Sequence, residues 1–272
     1  MARLLDAHSE RKAAENSKAY YPLFMKPDKP ITVRTLMKVN RDYLEGTRFD
    51  MTKGKAAGPY GSPMRDSVTR ESKPANRKFN YWDRSISVFY CSFSIVSQIR
   101  SGMPDEIAAL TWFGFDQPST CVYMPIYAGT KSLPKSLAVY DRAKFNKDST
   151  YWAFNFVANW ANLKYSYMIK DIRAKQSELE NGFFKSAPAE EKAFLREYNA
   201  GKKDKAVNDL TAYVNKSVNK VHTEWWNFAW HLVGKYADGY VIDENGKANA
   251  AGYPTEWLEE VGFGDNDAEP KK

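Results

Sequence analysis

Two cysteines and three histidines are all that the 272 residues provide, and the shortage excludes several classes of chemistry. Cys91 and Cys121 cannot build a disulfide framework; one bridge or two reduced core thiols are the alternatives, and buried thiols are the expectation. His8, His222 and His231 include no pair four residues apart, and no cysteine pair has zinc-finger spacing, so no metal site is expected. His222 and His231, nine apart on one expected helix, face directions about 180° apart. No Gly-x-Ser-x-Gly elbow occurs, and Gly58-Pro59-Tyr60-Gly61 lacks the Gly-Lys-Ser/Thr ending of a phosphate loop. No cofactor is implied. No run approaches the roughly 20 apolar residues of a membrane helix. Met1 to Tyr21 is charged and reads as neither signal peptide nor anchor, so no membrane partner is expected.

What is present is a composition able to fill a core: 43% hydrophobic and 15% aromatic residues, enough for one large or two small domains. The net charge of +7 is uneven. Residues 1–80 hold 17 Lys or Arg against 9 Asp or Glu, whereas residues 256–272 hold 2 against 6. The basic residues are interleaved with acids, and no RNP-like aromatic motif, finger or recognition helix accompanies them, so nucleic acid is not the expected partner.

Along the chain, Tyr20 to Pro30 is proline-spaced and reads as an extended lead-in. Thr32 is placed to cap a helix running to about Leu44, with Gly46 at its exit. Gly, Pro, Ser and charge then dominate to Lys78, a long surface excursion. Alternation from Arg84 to Arg100, and bulky runs at Ile107–Phe115 and Thr120–Tyr127 separated by turns at Met103-Pro104-Asp105 and Asp116-Gln117-Pro118, predict an antiparallel meander. Beyond Gly129 the chain reads as helical. With Asp148 or Ser149 as cap, Trp152, Phe156, Trp160, Leu163 and Tyr167 mark one stripe expected to face the core, in a helix extending to Glu180. Val207, Leu210, Val214, Val218, Val221, Trp225, Phe228 and Leu232 mark a second, longer helix. Residues 264–272 read as a disordered tail.

No catalytic centre stands alone in these residues. The two cysteines, expected in strands among apolar neighbours, have raised thiol pKa values instead of the lowered ones a nucleophile needs. Asp105-Glu106 and Glu190-Glu191 are adjacent carboxylates that solvated charge explains.

A family resemblance does emerge from ordered motifs. Glu45-Gly46-Thr47-Arg48-Phe49-Asp50-Met51-Thr52-Lys53-Gly54, then Ala57-Gly58-Pro59-Tyr60-Gly61 and Arg65, resemble the dipeptidases of peptidase family C69. Arg84-Ser85-Ile86-Ser87, Ser97-Gln98-Ile99-Arg100-Ser101, Trp112-Phe113-Gly114, Pro125-Ile126-Tyr127-Ala128-Gly129, Asp148 to Asn155, Gln176 to Glu180 and Tyr253 to Leu258 follow in the same order, covering roughly residues 20–263.

The resemblance implies an α+β fold: the second half of an N-terminal-nucleophile αββα sandwich, antiparallel strands followed by long helices. In such hydrolases a cysteine at the mature amino terminus attacks the peptide carbonyl, with its own α-amine as base. Residues 1–272 are then expected as a single segment of a larger catalytic domain: lead-in 1–30, helix and Gly/Pro-rich loop 31–80, meander 84–127, helical layer 135–240 and tail 264–272. The chain starts Met1-Ala2-Arg3, so the amino-terminal half with the catalytic cysteine is expected to be missing, and a truncated chain or a two-chain enzyme follows. Arg84 is the one catalytic candidate, a guanidinium able to lower a thiol pKa and bind a carboxylate; pairing with Asp83 is its structural alternative. Gly58, Tyr60 and Arg65 are candidates for the substrate mouth, or serve only to order their loop. The implied partners are a short peptide and the missing half; a homo-oligomer remains open. A noncatalytic binding module, or an inactive scaffold descended from the hydrolase, is the competing expectation.

Overall fold

The computed structural model describes residue 24 and residues 26–65, 84–141 and 143–263. Most of the expected lead-in, the end of the excursion (residues 66–83) and the tail at 264–272 lie outside the described residues.

Helix α1 (Val33–Asn40) starts where the sequence indicates: the Thr32 hydroxyl accepts from the Thr35 amide at 3.2 Å and the Thr35 hydroxyl answers on the Thr32 amide, a capping box. It ends four residues before Leu44. The Asp42 carboxylate accepts from the Leu44 amide at 2.8 Å, and this local turn diverts the chain before Gly46 is reached. Three strands follow, β1 (Phe93–Ile99), β2 (Ala109–Phe115) and β3 (Met124–Tyr127), antiparallel in the order β1-β2-β3. Phe93 stands opposite Phe115, Ile95 opposite Phe113, and Thr111 opposite Ile126. A single-turn helix α2 (Asp105–Ala108) precedes β2.

The meander is thus real but shorter than its alternation suggested, and side chains account for the difference. Residues 84–92 do not pair, because their serines bond locally or to other segments: Ser85 donates to the Ser87 carbonyl at 2.8 Å, the Ser87 amide donates to Asp42, and the Ser87 hydroxyl accepts from the Ser119 amide. Residues 118–123 do not pair either. Arg41 donates to the carbonyls of Pro118 (3.1 Å) and Cys121 (3.2 Å), Gln176 also donates to Cys121, and the Tyr123 amide donates to Glu180 at 2.9 Å. Arg41 and Glu180 form a two-bond ion pair of 2.5 and 3.1 Å, with the Glu180 side chain 7% exposed. Both charges are therefore matched where isolated ones would be costly.

Three long helices cover one face of the sheet. Helix α3 (Thr150–Ala161) is capped by Ser149; a 3₁₀ turn at Asn162–Lys164 separates it from α4 (Tyr165–Asn199), which continues well past the expected Glu180. Helix α5 (Lys203–Lys235) carries the whole expected stripe from Val207 to Leu232 as buried side chains. The stripe expected for α3 is corrected. Ala153, Phe154, Val157, Ala158 and Ala161 are buried, while Trp152, Phe156 and Trp160 are half-buried and Leu163 is exposed. Small alanines allow close approach to α5, where Phe154 meets Trp225 at 5.3 Å, and the aromatics flank the contact, Phe156 lying 5.5 Å from Trp230. On the sheet, Val96, Leu110, Trp112 and Tyr127 face the helices, and Trp112 stacks on Phe184 at 4.3 Å. Each large apolar side chain buried in this way contributes about 1.5–3 kcal/mol. A small hairpin, β4 (Tyr240–Ile242) with β5 (Ala248–Ala250), and the short helix α6 (Thr255–Glu260) end the described chain. Among the described residues, no helix is long and apolar enough to cross a membrane.

Where β3 ends, Gly129 lies against α2: a methyl group on it would stand 2.5 Å from Glu106 Cβ and 2.9 Å from Glu106 Cα. Gly182, exposed inside α4, has nothing within 4 Å. Gly129→Ala is expected to lose about 1–3 kcal/mol by overpacking. Gly182→Ala is expected to gain about 0.5–1 kcal/mol from helix propensity. Urea unfolding of the two variants against the parent measures both signs.

Candidate functional site

Among the described residues, the long helices leave much of the opposite face of the sheet uncovered; at its β2–β3 end Met124 is buried and Tyr151 of α3 meets Phe115 at 6.1 Å. Phe93, Ile95 and Ile99 are exposed, 84% in the case of Ile99, and Phe113, Phe115 and Ile126 beside them are only half-buried. Phe93 stacks on Phe113 at 5.8 Å and Phe113 meets Phe115 edge-on at 4.8 Å, so the aromatic side chains cluster with one another on this open face. A contiguous apolar patch of this kind on a sheet is a surface built to be covered.

At the end of β2 the sheet closes in a polar turn. Asp116 has a positive φ of 61°, a conformation that Asp tolerates better than most residues. Its amide donates to Ser92, one carboxylate oxygen accepts from Asn155 at 3.0 Å, and the other is buried with no side-chain hydrogen-bond partner among the described residues. Burial pushes this carboxyl up to about 6 against the stabilising bond from Asn155. Beside it, Ser119 accepts from Gln117 at 2.9 Å and lies 2.7 Å from the Tyr43 hydroxyl, whose pKa burial raises to about 12.

The setting of both cysteines disfavours the thiolate. Both are free thiols outside the strands in which they were expected: Cys91 follows a turn ahead of β1, and Cys121 follows the 3₁₀ turn at Pro118–Thr120. Burial raises the Cys91 thiol, and it pushes the fully buried Cys121 up to about 12.

Arg84 stands exposed in the bent segment ahead of β1, nine residues before the strand whose start it was expected to mark. The loop candidates divide. Arg65 donates to the carbonyls of Ser62, Met64 and Met51 at 2.7–2.9 Å, binding its own loop together, and burial lowers its pKa. Asp50 completes that order. Burial opposes its charge, but bonds from Thr52 and Gly46 prevail and lower its pKa. Gly61 packs so closely that a methyl would stand 2.9 Å from the Thr52 carbonyl, whereas Gly58 has open space and serves a positive φ of 65°. Gly58 and Gly61 line a groove of about 510 Å³ with Tyr165, Arg173 and Trp257. Tyr60 lines this groove and a larger one of about 730 Å³ with Trp160, Lys164 and Tyr253. The structure therefore unites Gly58 with Tyr60, and it shows no bond joining either to Arg84. Asp116 and Lys164 were not singled out from sequence. Lys164 had one legible signal: it falls four residues after Trp160 and four before Met168, a charge within an apolar run.

Sequence comparison gives the class of this helix-backed antiparallel sheet. Residues 2–178 match the profile of Peptidase family C69. The chain belongs to that family. It is 26% identical over 148 residues to a "Probable dipeptidase A" of Streptococcus pyogenes serotype M18 (strain MGAS8232), covering 54% of this chain and 27% of that protein. A "Probable dipeptidase" of Latilactobacillus sakei is 22% identical over 210 residues, covering 75% of this chain and 37% of the relative. The chain thus spans between about a quarter and two fifths of these relatives' length.

The Asp116 carboxyl gives this region a pH dependence. Its folded-state pKa, about 6, lies above the ordinary 3.8, so the folded protein holds the proton more tightly between those values. Stability from the neutral form is present below about pH 4 and lost as pH rises through about 6. Asp116→Asn keeps the shape and the positive φ without the charge. Its stability relative to the parent is expected to rise by on the order of 2–3 kcal/mol from pH 4 to pH 8. Urea titrations across that range measure it, and a constant offset would contradict the assignment.

Proposed function

We propose that this chain is the helix-backed sheet layer of a peptide hydrolase that cleaves short peptides, the nucleophilic cysteine being supplied at the amino terminus of further polypeptide. The observation that carries this reading is the apolar face of β1, β2 and β3, which the described residues leave largely uncovered from Phe93 to Ile99, in a member of a peptidase family. A second sheet laid on that face completes a four-layer sandwich and buries Phe93, Ile95 and Ile99. The described cysteines, with raised thiol pKa values, are unsuited to the attack.

In the complete enzyme the α-amine of the incoming cysteine takes the proton of its thiol, and the resulting thiolate attacks the scissile carbonyl carbon. The tetrahedral adduct collapses with cleavage of the C–N bond, and the leaving amine receives that proton from the α-ammonium. Water then hydrolyses the thioester, releasing the carboxylate and restoring the thiol. Arg84 is assigned the stabilising guanidinium beside the thiolate, a role its exposure leaves available. Gly58 and Tyr60 are assigned to the substrate mouth, with Arg65 holding the loop in which they lie.

Co-expression of this chain with a polypeptide encoded beside it that begins with cysteine tests the proposal. Dipeptide hydrolysis is expected from the complex alone. It is lost when that cysteine is replaced by alanine and reduced at least tenfold by Arg84→Ala. A stable complex without hydrolysis would favour an inactive scaffold. Absence of any association, with salt-sensitive nucleic-acid binding instead, would favour a binding module.

A further inference from the structure

Lys164 is 5% exposed and is the one buried lysine among the described residues. Other lysines with charged partners, Lys131, Lys175, Lys202, Lys205 and Lys235, reach acids within 4.0 Å, but no carboxylate among the described residues lies so close to Lys164. Its ammonium donates to the Tyr60 hydroxyl at 2.8 Å and stands 4.2 Å from the centroid of that ring. The Tyr60 hydroxyl passes its own hydrogen to the Gly252 carbonyl at 3.1 Å. An ammonium carries three donors, so two have no protein acceptor among the described residues. Buried charges are ordinarily paired, and an unpaired one is retained against a desolvation cost.

The local backbone fixes this position. Lys164 ends the 3₁₀ turn between α3 and α4 with φ −149° and ψ 59°, and the Ser166 amide donates to the Tyr60 carbonyl at 2.9 Å, tying the turn to the loop. Lys164 thereby lines the groove of about 730 Å³, whose walls are mostly apolar: Trp160, Leu163, Met168, Val233 and Tyr253 among them. The Tyr60 and Tyr253 rings, which both line it, approach to 5.8 Å. Among the described residues Asp238 is the one acid lining the groove; it is exposed and makes no ion pair with Lys164. One cationic point charge beside apolar walls, with no arginine fork among the described lining residues, suits a monoanion better than a phosphate dianion.

We propose that this groove binds a carboxylate carried on an aromatic or bulky aliphatic body, Lys164 taking the carboxylate and Trp160 and Tyr253 the apolar part. The site goes beyond the hydrolase reading, since it needs no cysteine and is read by equilibrium binding.

The test uses the chain as it stands, titrated with N-acetylphenylalanine and, separately, with its uncharged amide, followed by calorimetry and by tryptophan fluorescence. The acid is expected to bind saturably at one site, at least tenfold tighter than the amide. Lys164→Met is expected to abolish that preference, Lys164→Arg to keep it, and Tyr253→Ala, at a half-exposed position, to weaken acid and amide alike. Lys131→Met, distant from the groove lining, is expected to change neither. Equal affinity for acid and amide, no saturable binding of either, or an acid preference that survives in a folded Lys164→Met overturns the proposal. Should Lys164→Met not fold, loss of the preference in Lys164→Arg, or unchanged binding in Tyr253→Ala, overturns it instead. Failure of dipeptide hydrolysis leaves these titrations unaffected, so the two readings fall separately.

Discussion

The ion pair between Arg41 and Glu180 is the constraint on which the sheet end depends. Two charges that would each be costly in the interior neutralise one another, and their remaining hydrogen-bonding capacity goes to the main chain at Pro118, Cys121 and Tyr123. That stretch of backbone has no strand partner, and without these side chains and Gln176 its buried polar groups would be orphaned. Helix α1, the turn after β2 and helix α4 are thereby fastened to one another through side chains. The polar turn at Asp116 to Ser119 is held at the rim of the open sheet face by the same fastening.

How much of this was legible in the residues follows from what each signal encodes. Helix α5 was legible because its stripe from Val207 to Leu232 is regular and every member is buried. The start of α1 was legible because Thr32 caps it by a bond within three residues. The strands were found but drawn too long, since alternation at 84–92 and 120–123 cannot reveal that serines, Arg41, Gln176 and Glu180 take over the main-chain bonds. The inward side of α3 was misjudged because size was taken for burial; at Ala153, Ala158 and Ala161 it is smallness that lets the helices meet.

The candidate site was legible in a different way. The loop motifs identified Gly58, Tyr60 and Arg65 by resemblance, and their physical duties separate only in three dimensions: Arg65 binds backbone, Gly58 supplies a turn, and Tyr60 faces two grooves. Asp116 and Lys164 depend on segments distant in sequence for their burial, so no local pattern announces the one, and only a break in an apolar run hints at the other. The open face of the sheet is legible as alternation of large side chains on both sides of β1, which leaves unstated which side the helices take.

The Arg41–Glu180 pair spans 139 positions of the chain, and this separation orders events during synthesis. As the polypeptide emerges from the ribosome, α1, the serine segment and all three strands are released before Gln176 and Glu180. For that interval Arg41 is an unmatched cation, and the carbonyl of Cys121 and the amide of Tyr123 must be hydrated. The turn after β2 therefore acquires its final form only when the fourth and fifth turns of α4, which carry Gln176 and Glu180, have left the exit tunnel, which makes the nascent sheet a natural client for whatever shields incomplete chains.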